Sequence, residues 1–218
     1  MTLKTFTVSK ARPLPVIILA DVSGSMHGEK IDSLNYAVGE MIKVFSQEDI
    51  VRAEIHVAVI TFGGQEAIMH QSLKPATEII WQNMKANGMT PMGAAFAIAR
   101  QLLEDREQLP IRAYLPTIVL VSDGQPNDEW QQPLEALLNS ERAKKAVRLA
   151  MGIGEDAEHQ MLERFIVNPE IPVFMAHQTR DIHKFFKYIT NTTTQRSRSA
   201  TPNQYILPPI GGTLERLG

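Results

Sequence analysis

The chain has 218 residues, 44% of them hydrophobic and 21% charged, with a net charge of −2. That is enough length and apolar content for one domain with a substantial core, and the near-neutral balance gives no general attraction for nucleic acid or anionic membranes. There is no cysteine, which excludes a disulfide framework, thiolate metal sites and a cysteine nucleophile.

Met1 to Arg12 carries basic residues without the apolar stretch of a secretion signal, and reads as an extension ahead of the domain. Val16 to Ala20 is a continuous apolar run, as in parallel strands covered on both faces. It is far shorter than the roughly 20 residues that span a bilayer, so a soluble, cytoplasmic protein is expected. Ile31, Leu34, Val38, Met41, Ile42 and Phe45 follow at one-face helical spacing. Ile55 to Phe62 is the next strand, and a Gly63-Gly64 turn leads to a short strand near Ala67 to Ser72. A turn that short predicts a hairpin and an antiparallel edge.

Ala95, Ala99, Leu102 and Leu103 mark a second helix, and Thr117 to Val121 another buried strand. Leu134, Leu137 and Leu138 mark a third helix, and Val147 to Met151 a strand. Met161, Leu162 and Phe165 mark a fourth helix, Val173 to Ala176 a last strand, and Ile182, Phe185, Phe186 and Ile189 a last helix. Strands alternating with helices imply an α/β protein: a three-layer, doubly wound, mostly parallel sheet with one antiparallel edge strand and helices on both faces. Thr192 to Thr201 is polar and shows no periodicity. Residues 191–218 therefore read as a tail, either a solvated end or one in which Tyr205 to Ile210 docks as an extended segment.

Three short pieces fall where loops leave the apolar runs: Asp21-Val22-Ser23-Gly24-Ser25, Thr90 in Gly88-Met89-Thr90-Pro91, and Asp123 in Ser122-Asp123-Gly124. In a doubly wound sheet, ligands bind beyond the carboxyl ends of strands where the strand order reverses. If the first strand and the Thr117 to Val121 strand are neighbours there, both carboxylates converge on one crevice. Asp21, Ser23, Ser25, Thr90 and Asp123 then offer two carboxylates and three hydroxyls. These hard oxygen donors suit a magnesium-like cation (Mg2+, or Mn2+ or Ca2+). Pro91 reads as a first-turn proline with Thr90 near the helix cap.

In that order these residues resemble a von Willebrand factor A domain with a complete metal-ion-dependent adhesion site, whose pattern is Asp-x-Ser-x-Ser, then a Thr, then an Asp. The resemblance covers roughly residues 13–190. Leu14-Pro15-Val16, Ser25-Met26, Gly28-Glu29-Lys30-Ile31, Asp123 to Trp130 and Phe185-Phe186-Lys187-Tyr188 look like the bacterial TerY-like subgroup. The resemblance implies a cation coordinated by the serines and, in one state, the threonine, with the aspartates acting directly or through water. It implies a partner protein whose Asp or Glu completes the shell. For the subgroup it implies tellurite-resistance or stress-response clusters, some with a companion kinase and phosphatase.

The competing reading is an enzyme, with a magnesium ion assisting phosphoryl transfer or hydrolysis. Against it, the first loop is not a Gly-rich phosphate loop, and Ser25 is not in a Gly-x-Ser-x-Gly elbow. A binding module without catalysis is the expectation. Asp128 reads as a solvated turn acid, with a role supporting the metal ligands from behind or facing a partner as the alternative. His27 reads as an exposed loop histidine and Trp130 as a packing residue. Met26, Met89 and Met92 read as core filler or as an adaptable contact rim.

Overall fold

The computed structural model describes residues 11–49, 52–204 and 206–209. Six strands form one sheet: β1 (Arg12–Asp21), β2 (Ala53–Gly63), β3 (Glu66–Pro75), β4 (Thr117–Ser122), β5 (Val147–Ile153) and β6 (Phe174–Ala176). Their order is β3-β2-β1-β4-β5-β6. All neighbours are parallel except β2 and β3, which pair antiparallel. The hairpin between these two turns at Gly64-Gln65, since Gly63 still pairs with Glu66. That is one residue later than the glycine pair suggests, and Gly64 supplies the positive φ of 69° that a two-residue hairpin needs.

Helices α1 (Glu29–Ser46) and α5 (Thr179–Arg198) flank one face, and α2 (Met92–Glu104), α3 (Gln131–Leu138) and α4 (His159–Ile166) the other. The alternation of β1 explains both layers. Leu14, Val16 and Ile18 face the first layer with Leu34, Val38, Phe185 and Ile189. Ile17 and Leu19 face the second with Phe96, Leu102, Leu134 and Phe165. A strand buried on both sides has no polar face to spare, hence its unbroken apolar run. Each fully buried Leu, Ile or Phe adds about 1.5–3 kcal/mol by leaving water. Among the described residues no helix is long and apolar enough to cross a membrane.

α5 differs from expectation. It runs to Arg198, with Thr192, Thr193, Arg196 and Ser197 buried, where the composition reads as a tail beginning at residue 191. Thr192, Arg196 and Ser197 find their partners within the domain, whereas the buried Thr194 hydroxyl has none among the described residues. Thr192 Oγ1 donates to the Tyr188 carbonyl at 2.8 Å, and Ser197 Oγ to the Thr194 carbonyl at 2.8 Å. Arg196 donates to the carbonyls of Pro202 and Leu115 (both 2.6 Å) and to Thr117 Oγ1 (3.1 Å). Burial pushes its guanidinium pKa down to about 10, which leaves it cationic at neutral pH. Beyond α5 the chain lies back on the domain: Tyr188 donates its hydroxyl to the Pro208 carbonyl at 2.8 Å, and Leu207 packs against the core. Tyr205 and Ile210, the ends of the expected docking segment, and residues 1–10 of the N-terminal extension lie outside the described residues.

Candidate functional site

The strand order reverses between β1 and β4, which lie side by side from Val16–Thr117 to Ala20–Val121. Asp21, the last residue of β1, therefore sits beside Ser122, the last of β4, and Asp123 follows directly. Asp21 is buried: Oδ1 accepts the Ser23 amide at 2.8 Å and Oδ2 accepts the Ser122 hydroxyl at 2.5 Å. Asp123 Oδ1 accepts the Ser25 hydroxyl at 2.7 Å, and Ser25 Oγ lies 3.0 Å from Ser23 Oγ. Four of the five expected donors thus form one hydrogen-bonded chain across the ends of β1 and β4, joined at Asp21 through the Ser23 amide and from Ser23 onward through side-chain oxygens.

Thr90 arrives on the loop before α2. The loop is stitched to the first one by backbone, with the Asn87 amide on the Val22 carbonyl (2.7 Å) and the Gly24 amide on the Gly88 carbonyl (2.8 Å). Gly88 must be glycine here. Its φ is 62°, and a Cβ would meet the Gly64 Cα at 2.6 Å. On its other side Thr90 accepts the Asn127 amide at 3.2 Å, so the loop bridges those that carry Ser25 and Asp123. Thr90 is buried.

The α2 cap differs from expectation. Pro91 occupies the cap position, and neither it nor Thr90 caps by side chain. Asp128 does so instead, from the β4–α3 loop: Oδ1 accepts the Gly93 amide at 2.9 Å and Oδ2 the Ala94 amide at 3.0 Å. Two otherwise unpaired helix amides and the positive helix end explain a carboxylate there. Gly93 permits the approach, since a Cβ would meet the Glu129 carbonyl at 2.6 Å. Asp128 is thus a structural clamp joining the Thr90 and Asp123 loops, in place of the solvated turn acid expected. Asp128→Ala is expected to cost about 1–2 kcal/mol, read by urea melts, whereas Asp128→Ser should recover part of it. Equal stability of wild type and Asp128→Ala would show that the clamp carries no weight.

His27 is exposed, and Met26 and Met92 are core residues, whereas Met89 is 59% exposed beside Thr90. Trp130 is partly buried against the second core layer with Arg164 5.0 Å from its ring centroid. Lys30 is a contributor that sequence reading missed: its Nζ donates to Asp123 Oδ2 at 2.5 Å. Burial pushes the Asp21 pKa above the usual carboxylate value. The hydrogen bonds from Ser122 and Ser23 pull it partly back, and the Asp123 charge pushes it up again. Two acids short of water and close to one another, ringed by hydroxyls, fit a hard divalent cation. Among the described residues no three His, Cys, Asp or Glu gather as a metal cluster, at this site or elsewhere, so hydroxyls would have to make up the donor set here.

Residues 16–188 match the family model of the von Willebrand factor type A domain. The chain is 28% identical over 163 residues to inter-alpha-trypsin inhibitor heavy chain H4 of Bos taurus, which covers 70% of this chain and 17% of that protein. The Mus musculus heavy chain 4 gives 28% over 165 residues, again 70% and 17%. The chain therefore spans about a sixth of the length of these curated relatives. A von Willebrand factor type A protein from Catenulispora acidiphila superposes with a TM-score of 0.63 at 19% identity, covering 84% of this chain and 43% of that one. Proximal thread matrix protein 1 from the mussel byssus, with a zinc-occupied MIDAS motif, gives 0.62 at 16% identity, with 84% and 48% covered. With most of its length matched by the family model and the same fold in these neighbours, the chain belongs to the von Willebrand factor type A domain family.

Proposed function

We propose that this domain is a metal-dependent protein-interaction module. A divalent cation, Mg2+ or failing that Mn2+ or Ca2+, is held by Asp21, Ser23, Ser25, Thr90 and Asp123, and an Asp or Glu of another protein completes its shell. The observation that carries the reading is the hydrogen-bonded chain from Asp21 through Ser23 and Ser25 to Asp123 at the reversal of strand order. The zinc-occupied motif of the mussel protein supports a cation at this place in the fold. Two carboxylates only neutralise a divalent ion, and hydroxyls add no charge. The open side of such an ion attracts an anionic ligand. Met89, exposed beside Thr90, gives an adaptable apolar contact at the rim.

The hydroxyls at the site bond to carboxylates and to one another, an arrangement that positions oxygen donors as ligands for a cation. Binding is therefore favoured over phosphoryl transfer or hydrolysis. The Asp123 to Trp130 and Phe185 to Tyr188 stretches further suggest a cytoplasmic TerY-like role in a tellurite-resistance or stress-response system, with a kinase or phosphatase as companion. The test is a pull-down from extract of the source cells with Mg2+ or with EDTA, using wild type and Asp21→Ala. A protein retained only by wild type with Mg2+ is expected. Retention indifferent to both changes would move recognition to another face.

A further inference from the structure

Lys30 takes none of the donor positions above, yet its contact ties with the closest at the site. Its Nζ lies 2.5 Å from Asp123 Oδ2, and the carboxylate is fully buried while the lysine side chain is 37% exposed. The other Asp123 oxygen is held by Ser25. Lys30 is the second residue of α1, where the positive end of the helix dipole disfavours an ammonium. Glu29 and Asp32 in the same turn follow the usual preference, and Lys30 runs against it. The Asp123 carboxylate is what compensates. It also draws the long flexible stem towards the oxygens that would receive a metal ion. A divalent cation at the same carboxylate would face that ammonium across a few ångströms in a partly buried place, where like charges repel strongly.

We propose that Lys30 is an internal rival of the cation: ammonium and metal exchange on Asp123, and this exchange sets the affinity of the site. The inference rests on the metal-site reading above. Removing the rival leaves the cation nothing to displace. Lys30→Gln is expected to bind Mg2+ about five- to tenfold more tightly than wild type in calorimetry, the scale of one partly exposed ion pair. In EDTA the same variant should melt below wild type, because two crowded carboxylates lose their counter-charge. In saturating Mg2+ that gap should close or invert. In the unaltered chain, Mg2+ should shift the Lys30 side-chain resonances in a heteronuclear NMR titration. Equal Mg2+ affinity with the same melting gap in EDTA and in Mg2+, and unmoved Lys30 resonances, would overturn the rivalry and leave the metal site standing. Failure of both wild type and Lys30→Gln to bind Mg2+ or Mn2+ would overturn the metal reading, and the rivalry with it.

Discussion

Asp21→Asn is expected to weaken Mg2+ binding by about a hundredfold or more, while the protein in EDTA melts at the same temperature as wild type or higher. The two halves of this outcome have one cause. Asp21 is buried at the end of β1, and its pKa is raised first of all by that burial. A carboxylate that is harder to ionise in the folded chain than in the unfolded one costs stability wherever it is ionised. Asparagine removes the charge and keeps the shape. Its carbonyl oxygen still accepts the Ser23 amide, and its amide group faces the Ser122 hydroxyl, which rotates to accept. Each kcal/mol relieved raises the melting temperature by roughly 2–4 °C in a domain of this size. The same substitution deletes one of the two negative charges proposed to hold the cation. Stability and binding thus move in opposite directions, as at sites where function is held against the fold. Calorimetry and melting curves on one preparation decide it. An unchanged Mg2+ isotherm would remove Asp21 from the ligand set. A melting temperature many degrees lower would make its carboxylate structural.

What was legible in the sequence was whatever depends on near neighbours. The runs of β1 and β4 stood out because both faces of each strand are buried, so no polar position interrupts them. Asp21 and Asp123 stood out because each directly ends such a run, and their convergence required only that β1 and β4 be adjacent. What stayed hidden depends on distant partners. Asp128 caps α2 at the Gly93 amide, 35 residues earlier in the chain, and no local pattern links the two. Lys30 meets Asp123 across 93 residues. Its one local signal was an ammonium in the first turn of a helix, on the wrong side of the dipole. The end of α5 was hidden by composition. Its inward stripe changes after Ile189 from aliphatic and aromatic side chains to Thr192, Thr193 and Arg196, and periodicity counted on apolar residues alone stops there. The spacing itself continues, since Ile189, Thr192, Thr193 and Arg196 recur at three- and four-residue steps.

A chain ending at residue 190 is accordingly expected to lose about 3–5 kcal/mol, most of it through the buried Arg196 and the hydrogen bonds it donates. Total stability of such a domain is about 5–15 kcal/mol, so the shortened chain should be marginal and partly unfolded on mild warming. Arg196 joins the last turn of α5 to the Leu115 carbonyl and to Thr117, the first residue of β4, and also holds the Pro202 carbonyl. Losing the side chain strands these acceptors where water reaches poorly. The Leu115 amide is held separately by Asn203 Oδ1 at 2.8 Å, so the segment after α5 pins the same corner from a second direction. Two further chains locate the effect. Arg196→Met keeps apolar bulk but not the donors, and should lose about 2–4 kcal/mol. A chain ending after Gln204 keeps Arg196, Pro202 and Asn203, and gives up the Tyr188 bond to Pro208 and the packing of Leu207, a loss of about 1 kcal/mol for the hydrogen bond. Urea melts at fixed Mg2+ rank the four proteins. If the chain ending at 190 matched the full chain, the helix beyond Thr190 would be an ornament of the domain. If instead it and Arg196→Met fall together, the domain extends through residue 204, and Arg196 is the post that anchors α5 to the root of the strand leading to Asp123.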